Sequence, residues 1–170
     1  MNLRSTLIVA VLTLSSTVLA APFVSKTNGY TVTPPAGWQQ KDLGGAGGVE
    51  AAFFDAPKNK FSSNFNMVVT QAKGMQKIPD TATLKAIGDQ LQTSLSTSLA
   101  GFKLISRKTD TLSGQPAVYI NYYGPNKLEL AQYVTVYKEK AYVLTFTAQP
   151  AEFTKLQAKF TEAKNSFKFN

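Results

Sequence analysis

The stretch that decides the fold is Leu112–Pro150, LSGQPAVYINYYGPNKLELAQYVTVYKEKAYVLTFTAQP. Ala117 to Tyr123, Leu128 to Tyr137 and Ala141 to Ala148 are rich in β-branched and aromatic residues. They are separated by turn chemistry: Gly114-Gln115-Pro116 opens the stretch, and Gly124-Pro125-Asn126 and Lys138-Glu139-Lys140 divide it. Connections this short join antiparallel neighbours, so the stretch predicts a three-strand meander at the centre of a sheet. Val118, Ile120, Tyr122, Val134, Val136, Tyr142, Leu144 and Phe146 are apolar or aromatic. So, at the opposite parity of their own strands, are Tyr119, Tyr123, Ala131, Tyr133, Tyr137 and Val143. A sheet that is apolar at both parities is covered on both faces, which calls for a helix on each side.

Two segments have the period of helices. Asp80 is suited to accept from the first-turn amides, and Leu84, Ile87, Leu91, Leu95 and Leu99 then form one apolar stripe that ends at Gly101. From Pro150 to about Phe167, Phe153, Leu156, Phe160, Ala163 and Phe167 form a second stripe, with Lys155, Lys159, Lys164 and Lys168 on other faces. Further strands are expected at Tyr30–Thr33, Val49–Phe54, Phe65–Ala72 and Phe102–Lys108. Trp38, the single tryptophan, follows a turn and reads as a cap on one end of the core. Gly44–Gly48 has the glycines of a phosphate cradle, but no Gly-Lys-Ser/Thr follows and the next segment reads as strand. It is therefore a flexible, hairpin-like connection.

The N-terminus reads as a signal peptide over residues 1–20: Arg4 as the positive region, Leu7 to Leu14 as the apolar region, and Val18-Leu19-Ala20 as the cleavage pattern. Residues 21–170 then form a single exported domain, periplasmic or extracellular, and soluble after cleavage. With about 150 residues, folding buries roughly 70% of the chain's surface, enough for a core without cross-links. The chain has no cysteine, so neither a disulfide nor a lipid-modified cysteine is available. The formal charge is +8, and removing the leader, whose one charged side chain is Arg4, leaves +7. A basic exported chain favours anionic neighbours: an acidic protein face, acidic polysaccharide, or peripheral contact with an anionic membrane surface. The lysines are dispersed and not interleaved with aromatics in one short stretch, so no nucleic-acid partner is expected.

The order of elements, with Pro35-Ala36-Gly37-Trp38 after the first strand and Leu112-Ser113-Gly114-Gln115-Pro116-Ala117 leading into the meander, resembles the PsbP-like superfamily. That group includes the extrinsic photosystem subunit PsbP, DcrB-like envelope proteins and proteins of the Mog-type fold. The resemblance spans Tyr30 to Phe167. It implies an α+β fold, a three-layer α/β/α sandwich around a central antiparallel sheet with a helix on each face. It also implies a noncatalytic role in docking to, or assembling, a larger protein. Histidine-containing metal sites of the photosystem branch do not carry over to a chain without histidine, and the envelope branch fits better.

The same composition excludes a serine-histidine-acid triad, a thiol nucleophile and the usual zinc sites. The ten carboxylates are scattered singly, without calcium-loop spacing. No cofactor is expected. Candidate partner-binding residues are Tyr119, Tyr123, Tyr133 and Tyr137, whose rings either line a groove or pack under a helix with their hydroxyls at the rim. To these we add the basic group Lys103, Arg107 and Lys108, in which Lys103 and Arg107 share a strand parity and so a face. The leading expectation is a noncatalytic binding or assembly module docking on an envelope or membrane-associated protein. The alternatives are a carrier of a small apolar ligand between helix and sheet, a photosystem II extrinsic PsbP-like subunit, and an acid/base hydrolase.

Overall fold

In a computed structural model, residues 20–43 and 45–170 are described, so the expected leader lies outside the described residues except for Ala20. In chain order the elements are β1 (Phe23–Ser25), β2 (Tyr30–Val32), β3 (Gln39–Lys41), β4 (Val49–Phe54), β5 (Asn64–Gln71), α1 (Thr81–Ser98), β6 (Lys103–Leu112), β7 (Gln115–Tyr123), β8 (Glu129–Tyr137), β9 (Lys140–Ala148), α2 (Pro150–Ser166) and β10 (Lys168–Phe169). Single 3-10 turns occupy Ala46–Gly48 and Pro125–Lys127. The fold is mixed α+β, with a large antiparallel sheet and two helices.

The meander is present and is one strand longer than the sequence indicates. β6 and β7 form a hairpin closed by Ser113 and Gly114, both with positive φ, and β7, β8 and β9 follow antiparallel. The meander is not the sheet's centre, however. The order is β3-β4-β5-β9-β8-β7-β6, so β9 is the middle strand and β6 an edge. The difference arises from the β5–β9 pair, which runs in register from Asn64↔Thr147 to Gln71↔Lys140. That pairing joins segments far apart in the chain and leaves no trace in local periodicity. The β8–β9 turn holds Lys138 and Glu139 at φ 49° and 59° without a glycine. Such conformations persist where the surroundings over-determine them. Here the amides of Lys138 and Glu139 donate to the carbonyls of Gln76 and Met75, and the Ala72 amide donates to Glu139 O.

Two apolar clusters use opposite strand parities. One joins Leu84 with Val118, Val134 and Val136, and Ile87 and Leu91 of α1 pack against it. The other joins Phe153, Leu156, Phe160 and Ala163 of α2 with Ala117, Ala131, Leu144 and Phe146. Each of the large α2 side chains contributes about 1.5–3 kcal/mol by leaving water. Asp80 caps α1 as expected, its Oδ1 accepting from the Thr83 amide at 2.7 Å. Trp38 is buried, its ring 5.9 Å from Phe65 and 6.1 Å from Phe160.

A second sheet, β1-β2-β10, closes the α2 side. β10 follows directly from α2, because Phe167 leaves the helical conformation and buries its ring 5.3 Å from Tyr30. Lys168, expected on the helix, is thereby a strand residue opposite Thr31.

Candidate functional site

β6 is the long open edge of the large sheet, and a bulge sets what it displays. Lys103 pairs with Tyr123 and Leu104 with Tyr122, but Ser106 then pairs with Asn121, so Ile105 is the extra residue. Directly opposed residues of an antiparallel pair share a face. Lys103 therefore shares the face of Tyr119 and Tyr123, whereas Arg107, opposite Ile120, lies on the other. The expectation that Lys103 and Arg107 share a face is corrected: one inserted residue inverts parity across the bulge. Lys108, opposite Tyr119, is the residue that joins Lys103. Arg107 is tied to α1, its Nη2 2.6 Å from Asp89 Oδ1. Hydrogen bonds from Lys85 and Arg107 hold the Asp89 carboxyl below its usual value.

The bulge also exposes Leu104 and Ile105, 37% and 44% accessible, an adjacent apolar pair on a strand otherwise lined by charge. Sequence reasoning missed this pair. Its signal was two apolar residues side by side in a segment that should alternate.

The four tyrosines share a face but not a groove. Tyr119 and Tyr133 are cross-strand neighbours with ring centroids 5.0 Å apart, half-buried beside Phe153 and Phe160 of α2. The space among them is about 40 Å³, enough for a water and not for a ligand. Burial pushes both hydroxyls up, reinforced at Tyr119 by Glu129 and Asp110 and at Tyr133 by Asp110 and Tyr119. Lys108 Nζ sits 5.1 Å over the Tyr119 ring and Lys164 Nζ 5.2 Å over that of Tyr133. Both lysines face Asp110, at 4.0 and 3.1 Å. Burial pushes the Asp110 carboxyl up, but the Thr111 amide, Lys164 and Lys108 outweigh it and leave it below the usual carboxylate value. Tyr137 stacks on Phe169, 4.3 Å away. Tyr123, at the opposite end of the face, lines a cleft of about 690 Å³ together with Lys103, Lys127 and Pro150.

One buried hydroxyl–carboxylate cluster lies elsewhere. Glu50 occupies the bulge of β4, between Val49 and Ala51, and accepts from Ser25 Oγ. Ser25 Oγ in turn accepts from the Asn28 amide. Burial and the nearby Glu50 push the Tyr30 hydroxyl up. The cluster fastens β1 to β4. Among the described residues no group of three or more histidine, cysteine, aspartate or glutamate side chains gathers as a metal site would, and no helix is long and apolar enough to cross a membrane.

The chain is similar to solved structures over most of its length. Cyanobacterial PsbP, CyanoP, from Synechocystis superposes with a TM-score of 0.69 at 16% identity, covering 95% of this chain and 98% of that one. LpqN of Mycobacterium tuberculosis, involved in cell envelope biogenesis, gives 0.59 at 14% identity, covering 88% and 90%. The PA94 protein of Pseudomonas aeruginosa gives 0.55 at 19%, covering 84% and 92%. At these identities the likeness is one of fold. No curated protein matches by sequence. The PsbP family model matches residues 20–169, nearly all of the described chain, and the protein therefore belongs to the PsbP family.

Proposed function

We propose that this protein is an exported, noncatalytic docking module that binds an acidic surface of an envelope or membrane-associated protein through the β6 edge. In this reading residues 1–20 are a cleaved leader and residues 21–170 one soluble domain. The two clusters of opposite parity are taken as the halves of a three-layer sandwich with a helix on each face. The observation that carries the reading is the edge itself: Leu104 and Ile105 exposed side by side, with Lys103 and Lys108 presented together and, among the described residues, no other strand on their outer side. Exposed apolar residues ringed by charge mark contact surfaces, and a positive edge steers an acidic partner. The family membership, and the involvement of LpqN in cell envelope biogenesis, are consistent with it. Tyr119, Tyr123 and Tyr133 support the strand behind that edge, Tyr137 lies beyond its reach, and Arg107 serves it by holding β6 to α1. A ligand carrier working between helix and sheet would need about 300 Å³ or more. The spaces under the middle of α2, beside Phe153 and Phe160, and beside Leu84 and Gly88 of α1 are about 40 and 140 Å³.

The test is affinity capture with the full-length tagged protein in the cell that makes it, comparing the wild type with Lys103→Glu/Lys108→Glu and with Leu104→Ser/Ile105→Ser. Envelope proteins retained by the wild type and lost by both variants support the docking reading. Identical retention by all three removes β6 from the interface.

A further inference from the structure

A broad cleft lies at the end of the sheet where the α1–β6 connection, the β7–β8 turn and the start of α2 meet, and the docking reading makes no use of its interior. Its volume is about 690 Å³, within the range of small-molecule sites. Its lining is of two kinds. Tyr123, Pro125, Pro150 and Ala100 supply apolar surface, and, among the described residues, Lys103 and Lys127 supply its charges. Neither lysine makes an ion pair or a side-chain hydrogen bond among the described residues. Two carboxylates of the adjoining elements are otherwise engaged. Glu129, opposite Tyr123, accepts from Asn121 Nδ2, and Glu152, in the first turn of α2, is held by Lys58 and Lys155.

The backbone around the cleft holds several positive φ values. Gly101 has φ +76°, and a Cβ there would lie 3.6 Å from Gly124 O; a Cβ on Gly124 would lie 2.9 Å from Leu130 Cδ1. Gly101 is thus favoured by its φ, and Gly124 makes room for the Leu130 side chain of β8. At its rim Asn126 and Lys127 both hold φ +58°, a conformation that non-glycine residues adopt rarely and that clusters at sites of function. α2 begins at the cleft with Pro150 and no side chain capping it, so the positive end of its dipole adds to the field of the two lysines. The β6 bulge is what brings Lys103 to the face of Tyr123.

We propose that this cleft binds a small amphipathic anion, with an alkyl or similar apolar body against Tyr123, Pro125 and Pro150 and a carboxylate or phosphate head held by Lys103 and Lys127. A cleft with apolar walls focuses the field of its charges, so an anionic head joined to an apolar body gains from both parts where either alone gains little.

The isotopically labelled protein is titrated, below micelle concentrations, with octyl phosphate, octanoate, inorganic phosphate and octyltrimethylammonium, and backbone amide resonances are followed by NMR. Saturable shifts centred on Gly101, Gly124, Lys127 and Ala151 are expected with octyl phosphate or octanoate, and whichever binds more tightly identifies the head. Inorganic phosphate is expected to bind at least tenfold more weakly. Lys127→Gln should weaken the octyl anion about tenfold while leaving the rest of the spectrum unchanged. The proposal is overturned by unsaturable or scattered shifts, by equal binding of the octyl cation, by inorganic phosphate matching octyl phosphate, or by an unaffected Lys127→Gln variant. Lys127 lies off β6, so this variant is expected to retain envelope partners unchanged, and the two readings stand or fall separately.

Discussion

Thr135 shows how one hydroxyl holds a place that a hydrocarbon of the same shape would not. It is fully buried, and its Oγ1 donates to Pro116 O at 2.6 Å, supplying a ladder carbonyl beside a proline with a side-chain partner. Thr135→Val keeps the volume and removes that hydrogen bond. The expected cost is about 0.5–1.5 kcal/mol, read as a lower urea midpoint at unchanged slope. Tyr142 is a similar case: its hydroxyl donates to Asn28 O at 2.7 Å, so Tyr142→Phe should lose about 1 kcal/mol in the same assay. Neither bond was legible in the sequence, since donor and acceptor lie 19 and 114 residues apart. What the sequence did show was the residue classes: apolar positions on the strands and the Asp80 cap, a local interaction spanning three residues.

Elements were legible where their period is local, and less so where pairing decides. The two helices, the meander and most strands appear where periodicity places them, because each is set by neighbours within one or two turns. The β6 bulge inverts parity in the middle of a strand, so the basic group resolves into Lys103 and Lys108 on one face and Arg107 on the other. Helix α1 offers a sharp test of packing against propensity. Gly88 is buried in it, and a Cβ there would meet Arg107 Cδ and Val118 Cγ1 at 3.5 Å, an ordinary contact, in a helical conformation that alanine adopts readily. Gly88→Ala should therefore stabilise the fold by about 0.5–1 kcal/mol, whereas Gly88→Leu should lift α1 off β7 and destabilise it. Thermal melts of the two variants decide the sign.

At the scale of the molecule, proton uptake follows from how the tyrosines are buried. Tyr30, Tyr119, Tyr122, Tyr133 and Tyr142 are all raised above 10.0, chiefly by burial, Tyr122 to about 12. Above pH 10 the folded chain therefore binds more protons than the unfolded one. This contribution to stability is intact below pH 10 and falls as pH rises through the unfolded and then the folded values. Alkaline titration should show the tyrosinate absorbance of these five appearing together with loss of near-ultraviolet circular dichroism; their ionisation in a still-folded chain would contradict the burial described. The carboxylates carry the opposite sign. Asp80, lowered by its bonds to Thr83, and Asp89 and Asp110 contribute stability that is present above the ordinary carboxylate value and lost as pH falls through their lowered ones.

Taken alone, the sequence determined the composition of the chemistry, the identity of most elements and the family. Absent side chains remain absent in any fold, and strand and helix periods are local properties. Only the tertiary structure decided that β9 is the central strand, that β6 is the open edge, that one extra residue regroups the lysines, and that the chain's end returns as β10. Each of these depends on segments meeting across tens of residues. Their pairing is selected by complementary burial and by ladder hydrogen bonds, which no single segment contains.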